Sequence, residues 1–359
     1  MLRSAERALA CAAIIGIAGC GSGGRPPSSS LPNAPSSTQK ATATFVVKIP
    51  AKGSSPTSRR GVKPHFLTPA VEGISFSVVQ QPATLNQGTV FYALTPQSSY
   101  CTGGGASPLI CTLDVQAPPG NDVFTVDTYD ATSPGGGYIT STATLTQQIN
   151  AQSANTIAIT TEGVVSYIGV AIDDPFPATG PAQAVPVRVI AADADGYQIV
   201  GPFDSPLSLT DSDSSGSTTL SNAGPASSSD LSNLTMAWDG TALASPATIT
   251  VSAQSAADGN NGGPFSATAT FSPGVSGAYA TPSSLTFAHV TSGAQTIAVT
   301  GVNTTGPFTV TSDGCVSVSG SGPAFTITPV SATGVFSPCN ISVSGASGAS
   351  SSVPVLVSP

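Results

Sequence analysis

The chain of 359 residues holds two histidines, His65 and His289, so any serine-based hydrolysis would have to recruit one of them. A nucleophilic serine needs a positioned base within hydrogen-bonding reach. His65 lies in a basic, loop-like segment, while His289 alternates with Leu285 and Phe287 and reads as the filler of a strand end. Every lysine falls between residues 40 and 63, which leaves no Ser–Lys dyad among the later strands. Glycoside hydrolysis asks for two opposed carboxylates with separated pKa values in a cleft. Here the acidic residues cluster in turns, where solvent is expected to keep both partners ionised. No P-loop, dinucleotide fingerprint or zinc-protease helix occurs. The chain reads as non-enzymatic and needs no cofactor.

Metal chemistry has one local candidate. In TDSDSSGSTTLSN, Asp211, Asp213, Ser215 and Gly216 match the D-x-D-x-S-G opening of a calcium loop. Such a loop closes its oxygen cage with a bidentate Glu at position twelve, where this chain has the neutral Asn222. A polar turn after the strand PLSLT is the better account. Asp193-Ala194-Asp195-Gly196 likewise reads first as a hairpin turn, because Asp-Gly supplies the positive φ that two-residue turns require.

The N-terminus carries chemistry of another kind. Arg3 and Arg7 precede an apolar run from Ala8 to about Ala18, well short of the roughly 20 residues that span a bilayer. A basic flank, a short apolar core and small residues at its end form a secretory signal. Ile17-Ala18-Gly19-Cys20 resembles the bacterial lipobox. That resemblance implies cleavage between Gly19 and Cys20, a thioether-linked diacylglycerol on Cys20 and usually a third acyl chain, which together give stable anchoring. Gly21 in place of Asp favours, by the same resemblance, an outer-membrane or surface destination.

With Cys11 removed in the signal peptide and Cys20 acylated, four of the six cysteines remain, allowing three connectivities. Cys101 and Cys111 are close in sequence, as are Cys315 and Cys339, with no cysteine between the members of either pair. Two local disulfides are expected, fitting an oxidising envelope compartment. A four-cysteine zinc site would need ligands paired a few residues apart, which these are not.

Composition points to extracellular β structure. Only 8% of residues are charged and 6% aromatic, and there are 38 glycines and 31 prolines. β-Branched residues suit pleated, half-buried surfaces, and the residues that favour helices are scarce. The net charge of −8 is unevenly placed. Between Gly21 and Lys63 there are seven basic residues and no acidic one; from Pro64 onward there are seventeen acidic residues and one base, Arg188. A basic segment beside a lipid anchor could rest on anionic headgroups, or be a low-charge linker that uses Lys and Arg. An acidic body excludes the basic face of nucleic-acid binders.

The elements follow from alternation. Residues 21–40, rich in Pro, Ser and Gly, cannot bury a core and form a disordered tether. Period-two runs then begin at ATATFVVKIP and continue through GISFSVV, TVFYAL, CTLDV, DVFTVDTYD, YITSTATL and NTIAIT. A second set runs from VSYIGVAI through AVPVRVIAA, PLSLT, LTMAW, ATITVSA and FSATATF, with Trp238 on the face of Leu234 and Met236. The third runs from SSLTFAHV to SSVPVLV. Its seven short strands have the count and spacing of an immunoglobulin-like (Ig-like) sandwich.

VDTYDATSPGGGYITS and VIAADADGYQIVG echo one another, with Asp130-Ala131 matching Asp193-Ala194 and Tyr138 matching Tyr197. Here the chain resembles bacterial Ig-like domains of surface proteins, including those whose closing hairpin reads D-A-x-G. The expected fold class is therefore all-β, with tandem Ig-like antiparallel β-sandwich domains after a signal peptide (1–19) and tether (20–40), at 41–162, 163–273 and 274–359. The resemblance implies a structural or adhesive module facing a surface protein, and it brings no catalytic residue. Asp173 and Asp174 fall between modules, where such arrays sometimes place calcium. The alternative is a carbohydrate-binding or substrate-capturing module, with Tyr92, Tyr100, Tyr138, Tyr197 and Tyr279 as candidate stacking residues.

Overall fold

The structure is a computed structural model that describes residues 40–51, 67–80, 85–133, 135–253, 265–333 and 339–359. Cys20 with the expected lipobox, the expected tether and His65 lie outside the described residues. The chain divides into Met1–Thr38 and Gln39–Pro359, and the following concerns the second unit alone.

Among the described residues, nine strands build the first sandwich: β1 (Ala41–Ile49), β2 (Gly73–Gln80), β3 (Leu85–Ala93), β4 (Cys101–Gly103), β5 (Leu109–Ala117), β6 (Gly120–Tyr129), β7 (Ile139–Ile149), β8 (Asn155–Ile157) and β9 (Glu162–Gly163). One sheet has the order β4-β5-β1-β8, the other β3-β2-β6-β7-β9. The period of two is realised in β1, where Ala43, Phe45, Val47 and Ile49 point inward and Val46 is 54% exposed. Phe45 meets Phe76 of the opposite sheet at 4.5 Å between centroids and Phe124 edge-on at 5.4 Å, so rings from both sheets fill the centre. The short β8 runs parallel to β1 and is pinned by Asn155, whose side-chain amide donates to the Thr42 carbonyl at 3.0 Å.

The second sandwich comprises β10 (Tyr167–Ile172), β11 (Gln183–Ala192), β12 (Ser208–Asp211), β13 (Thr218–Leu220), the one-turn helix α1 (Ser228–Leu231), β14 (Thr235–Trp238), β15 (Ala247–Ala253) and β16 (Phe265–Phe271). Its sheets are β10-β11-β14-β13 and β12-β15-β16. Trp238 is buried, packs edge-on against Phe271 at 5.5 Å, and donates its indole N–H to the Thr241 carbonyl at 2.8 Å.

The third comprises β17 (Gly277–Thr281), β18 (Leu285–Phe287), β19 (Gln295–Val302), β20 (Thr309–Ser312), β21 (Val316–Ser321), β22 (Ala324–Pro329), β23 (Asn340–Ser344) and β24 (Ser351–Val357). The sheets β17-β19-β22-β21 and β18-β24-β23-β20 reproduce the two-sheet order of an Ig sandwich. The first strand is split, β17 joining one sheet and β18 crossing to pair parallel with β24. Alternation alone pointed to seven strands here; the eighth is β17, whose GAYAT holds little apolar surface. The short β4, β9 and β13 and helix α1 also left no periodic trace.

Each sandwich has its own apolar core, yet the second and third also pack flank to flank. The six residues of β10 are all buried, because one face meets its own core and the other meets β24. Tyr167, Ile190, Ala192 and Leu356 form a small shared cluster there. Gly169 allows the approach, since an added Cβ would meet the Pro354 side chain at 2.5 Å. The result is an all-β fold of tandem Ig-like sandwiches.

Candidate functional site

The two hairpins that echo one another in sequence are built alike and meet. In the β6–β7 hairpin, Asp130 donates its N–H to the Tyr138 carbonyl at 3.3 Å, and its Oδ1 accepts the Tyr138 N–H at 2.6 Å. In the hairpin after β11, Asp193 bonds the Tyr197 carbonyl at 3.0 Å, and its Oδ1 accepts the Tyr197 N–H at 2.7 Å. Each aspartate thus closes its own turn with a side chain that mimics a backbone acceptor. Glycine serves both turns: a Cβ on Gly137 would strike the Asp130 carboxylate, and Gly196 adopts φ of +81°.

The second hairpin is a hub for all three sandwiches. Asp195 at its tip interacts electrostatically with Asp130 of the first sandwich. Gly196 rests against the Thr333 carbonyl of the third, and Ser358 Oγ donates to the Gly196 carbonyl at 3.0 Å. Glu72 stands nearby, held just before β2 by its N–H to the Tyr129 carbonyl at 2.8 Å.

Burial dominates the electrostatics of this hub. Asp193 is fully buried, and its second oxygen, Oδ2, has no hydrogen-bond partner, as is also true of Asp195 Oδ2. Desolvation, then the charge of Asp195, pushes the Asp193 carboxyl well above the usual range, against the pull of the Tyr197 and Asp195 N–H groups. Asp195 is pushed up to about 7 by burial first, then by Asp130 and Glu72. Burial also raises Asp130, although the hydrogen bond from the Tyr138 N–H opposes it. Asp-Ala in two Gly-containing turns was the visible signal of these hairpins; their meeting was not visible.

The other residues singled out in the sequence lie apart. Cys101 pairs with Cys111, directly across β4 and β5, and Cys315 pairs with Cys339. Asp211 and Asp213 spend their oxygens on their own loop. Asp213 accepts from Ser215 Oγ at 2.6 Å and from the Thr218 N–H at 2.9 Å, and Thr218 Oγ1 donates to Asp211 at 2.6 Å. The Ser215 and Thr218 bonds hold the half-buried Asp213 carboxyl far below its ordinary value.

Asp173 forms a forked ion pair with Arg188 at 2.6 Å and accepts from Ser283 at 2.5 Å. Burial raises its carboxyl, but these bonds outweigh it and leave it lowered. Asp174 accepts the Phe176 N–H at 3.3 Å and is raised by burial, which that bond only partly offsets. Among the described residues, no three His, Cys, Asp or Glu side chains are gathered to hold a metal ion. His289 Nδ1 lies 2.7 Å from the Pro359 carbonyl oxygen.

The candidate stacking tyrosines are distributed over all three sandwiches and are buried or half-buried. Tyr92 and Tyr100 pack edge-on at 5.5 Å, with their hydroxyls on the Asp114 and Ala93 carbonyls. They are a rim of the first core and form no flat platform with Tyr138, Tyr197 or Tyr279. Among the described residues, no helix is long and apolar enough to cross a membrane.

No protein-family profile matches the chain, and no curated protein matches it. Among solved structures, the D0–D1 domain of intimin aligns over 53% of this chain and 98% of its own at 14% identity, with a TM-score of 0.27. Invasin, titled a bacterial integrin-binding protein, aligns over 89% of this chain and 60% of its own at 11% identity, TM-score 0.20. The N-terminal eight Ig domains of Down Syndrome Cell Adhesion Molecule align over 88% and 37% at 9% identity, TM-score 0.21.

Proposed function

We propose that this chain is a non-enzymatic cell-envelope lipoprotein that displays Ig-like sandwiches in a structural or adhesive role. The observation that supports this reading is how the polar groups of the described sandwiches are used. Aspartates 130, 193, 211, 213 and 173 each close a turn or bridge strands. Such chemistry holds a scaffold together, and a scaffold needs a place to stand. The lipobox at Ile17–Cys20 would supply it, with the acidic sandwiches carried beyond a basic, membrane-proximal stretch. The contact surface would then be an outward loop or sheet edge, met by a surface protein or a glycan.

The anchor is tested by metabolic labelling with an alkyne fatty acid in a bacterial host. The wild-type chain should take up label and fractionate with membranes, while Cys20→Ala should do neither. Equal labelling of both would overturn the proposal.

A further inference from the structure

Outward-facing hydroxyls of the second and third sandwiches meet across a cleft of about 240 Å³. One wall is β16, where Thr268 and Thr270 are exposed while Phe271 fills the core behind them. The other is the outer face of β23 and β24, where Ser342 and Ser352 alternate with the buried Ile341, Val343 and Val353. The floor is apolar, made of the buried Ala171 and Ile172 of β10 and the buried Pro175 beyond it. Although the walls belong to different sandwiches, their spacing is fixed. Beside the floor, Asp173 takes Arg188 from its own sandwich at 2.6 Å and the Ser283 hydroxyl of the third at 2.5 Å. A preformed cleft at a domain boundary is a usual place for a small ligand.

The aspartates of this chain spend their oxygens on the scaffold, but the hydroxyls of the cleft do not. Among the described residues, those of Thr268, Thr270 and Ser342 make no hydrogen bond with the protein, and Ser352 has only a long one, 3.4 Å to Asn340 Oδ1. Ser351 Oγ, in the same lining, is buried with no partner at all. We propose that this cleft binds one neutral pyranose unit of a glycan. A pyranose is apolar on its C–H faces and rimmed by hydroxyls, which an apolar floor between hydroxyl walls complements. Each Ser or Thr hydroxyl both donates and accepts, as each sugar hydroxyl does. The volume is below the roughly 300–1,000 Å³ of pockets for drug-sized ligands, so it suits one ring. Asp313, exposed in the lining, adds a carboxyl that accepts from sugar hydroxyls and disfavours an acidic sugar. The site lies apart from Tyr92 and Tyr100 and does not depend on a lipid anchor, so its failure and that of the anchor are read separately.

Saturation-transfer NMR of the full chain tests this, with D-glucose, D-galactose, D-mannose and N-acetyl-D-glucosamine as probes and D-glucuronate as the acidic control. At least one neutral sugar should receive saturation, and glucuronate should receive several-fold less than the best of them. Thr270→Val removes a hydroxyl from the second sandwich and Ser342→Ala one from the third. Both positions are exposed, so thermal unfolding should stay as in the wild type, while each variant should bind the sugar about three- to tenfold more weakly. Asp313→Asn should raise glucuronate binding, a gain that a damaged fold would not produce. Saturation of none of the four neutral sugars, or binding undiminished in both variants, would overturn the site. Weakening in one variant alone would also overturn it, because the sugar would then rest on a single sandwich, and so would glucuronate bound as well as the neutral sugars.

Discussion

The Tyr167 hydroxyl lies 3.2 Å from the carbonyl oxygen of Val355, joining the first strand of the second sandwich to the last strand of the third. Burial drives this phenol up to about 12, so it stays a donor at every physiological pH. Around it the shared cluster with Ile190, Ala192 and Leu356 removes apolar surface from water on a face that an isolated sandwich would leave wet. A bond made where water is excluded is felt most when one partner is deleted.

Tyr167→Phe should therefore destabilise the chain by about 1–2 kcal/mol, because the ring still packs but a buried carbonyl loses its donor. Denaturant unfolding checks this. A change near zero would mean that the flank contact is apolar in substance and that the hydroxyl is incidental.

The Cys101–Cys111 bridge ties β4 to β5 at a Cα separation of 4.0 Å, closing a hairpin ten residues apart in sequence. The double variant Cys101→Ser/Cys111→Ser should cost about 2–3 kcal/mol, chiefly by freeing the unfolded chain. The loss should appear in unfolding of the first sandwich, with Phe45 and Phe76 still packed at temperatures below the transition. Alkylation of the denatured, unreduced wild-type chain should label none of Cys101, Cys111, Cys315 and Cys339.

Much of this architecture is readable from alternation. ATATFVVKI and ATITVSA each present one apolar face, and each buries that face. The flank packing left a fainter trace. YIGVAI of β10 and the VPVLV end of β24 are apolar on successive residues, the pattern of strands covered on both sides, but which surface covers them is a long-range fact that no local period encodes. The same holds for the acidic hub. Asp130-Ala131 and Asp193-Ala194 announce two similar turns, and the structure shows each aspartate accepting a tyrosine N–H. Their meeting depends on the linker between the sandwiches, where Val164 donates to the Thr140 carbonyl and Ser166 to that of Ala192. Those are backbone bonds, indifferent to side-chain identity and so silent in sequence.

Asp122 of β6 is buried, and neither of its carboxylate oxygens has a hydrogen-bond partner. Burial pushes its carboxyl up to about 6 from an ordinary value near 4. Between those values the folded chain holds a proton that the unfolded chain has released, so stability falls as pH rises through the window and remains lower above it. Asp122→Asn should abolish that fall. Discounted for residual solvent screening, the variant should gain about 1–2 kcal/mol at pH 8 and nothing at pH 3.5. Thermal unfolding at the two pH values checks the sign; a gain of equal size at both would point to packing in place of charge.

Gly196 and Gly216 share a left-handed backbone, with φ of +81° and +80°, but not their surroundings. An alanine at Gly216 would meet open space, so its penalty is the backbone conformation alone, about 1 kcal/mol. At Gly196 the same methyl would collide with the Thr333 carbonyl, and backbone atoms of the third sandwich would have to retreat. That movement would also stretch the Ser358 Oγ bond to the Gly196 carbonyl. Gly196→Ala should therefore be the more damaging by at least about 1 kcal/mol, the usual scale of overpacking in a filled site. Its excess loss should disappear when Tyr167→Phe and Leu356→Ala have already loosened the flank contact, whereas the Gly216→Ala penalty should add to theirs unchanged. Equal penalties at the two glycines would mean that the third sandwich does not press on this hairpin in solution.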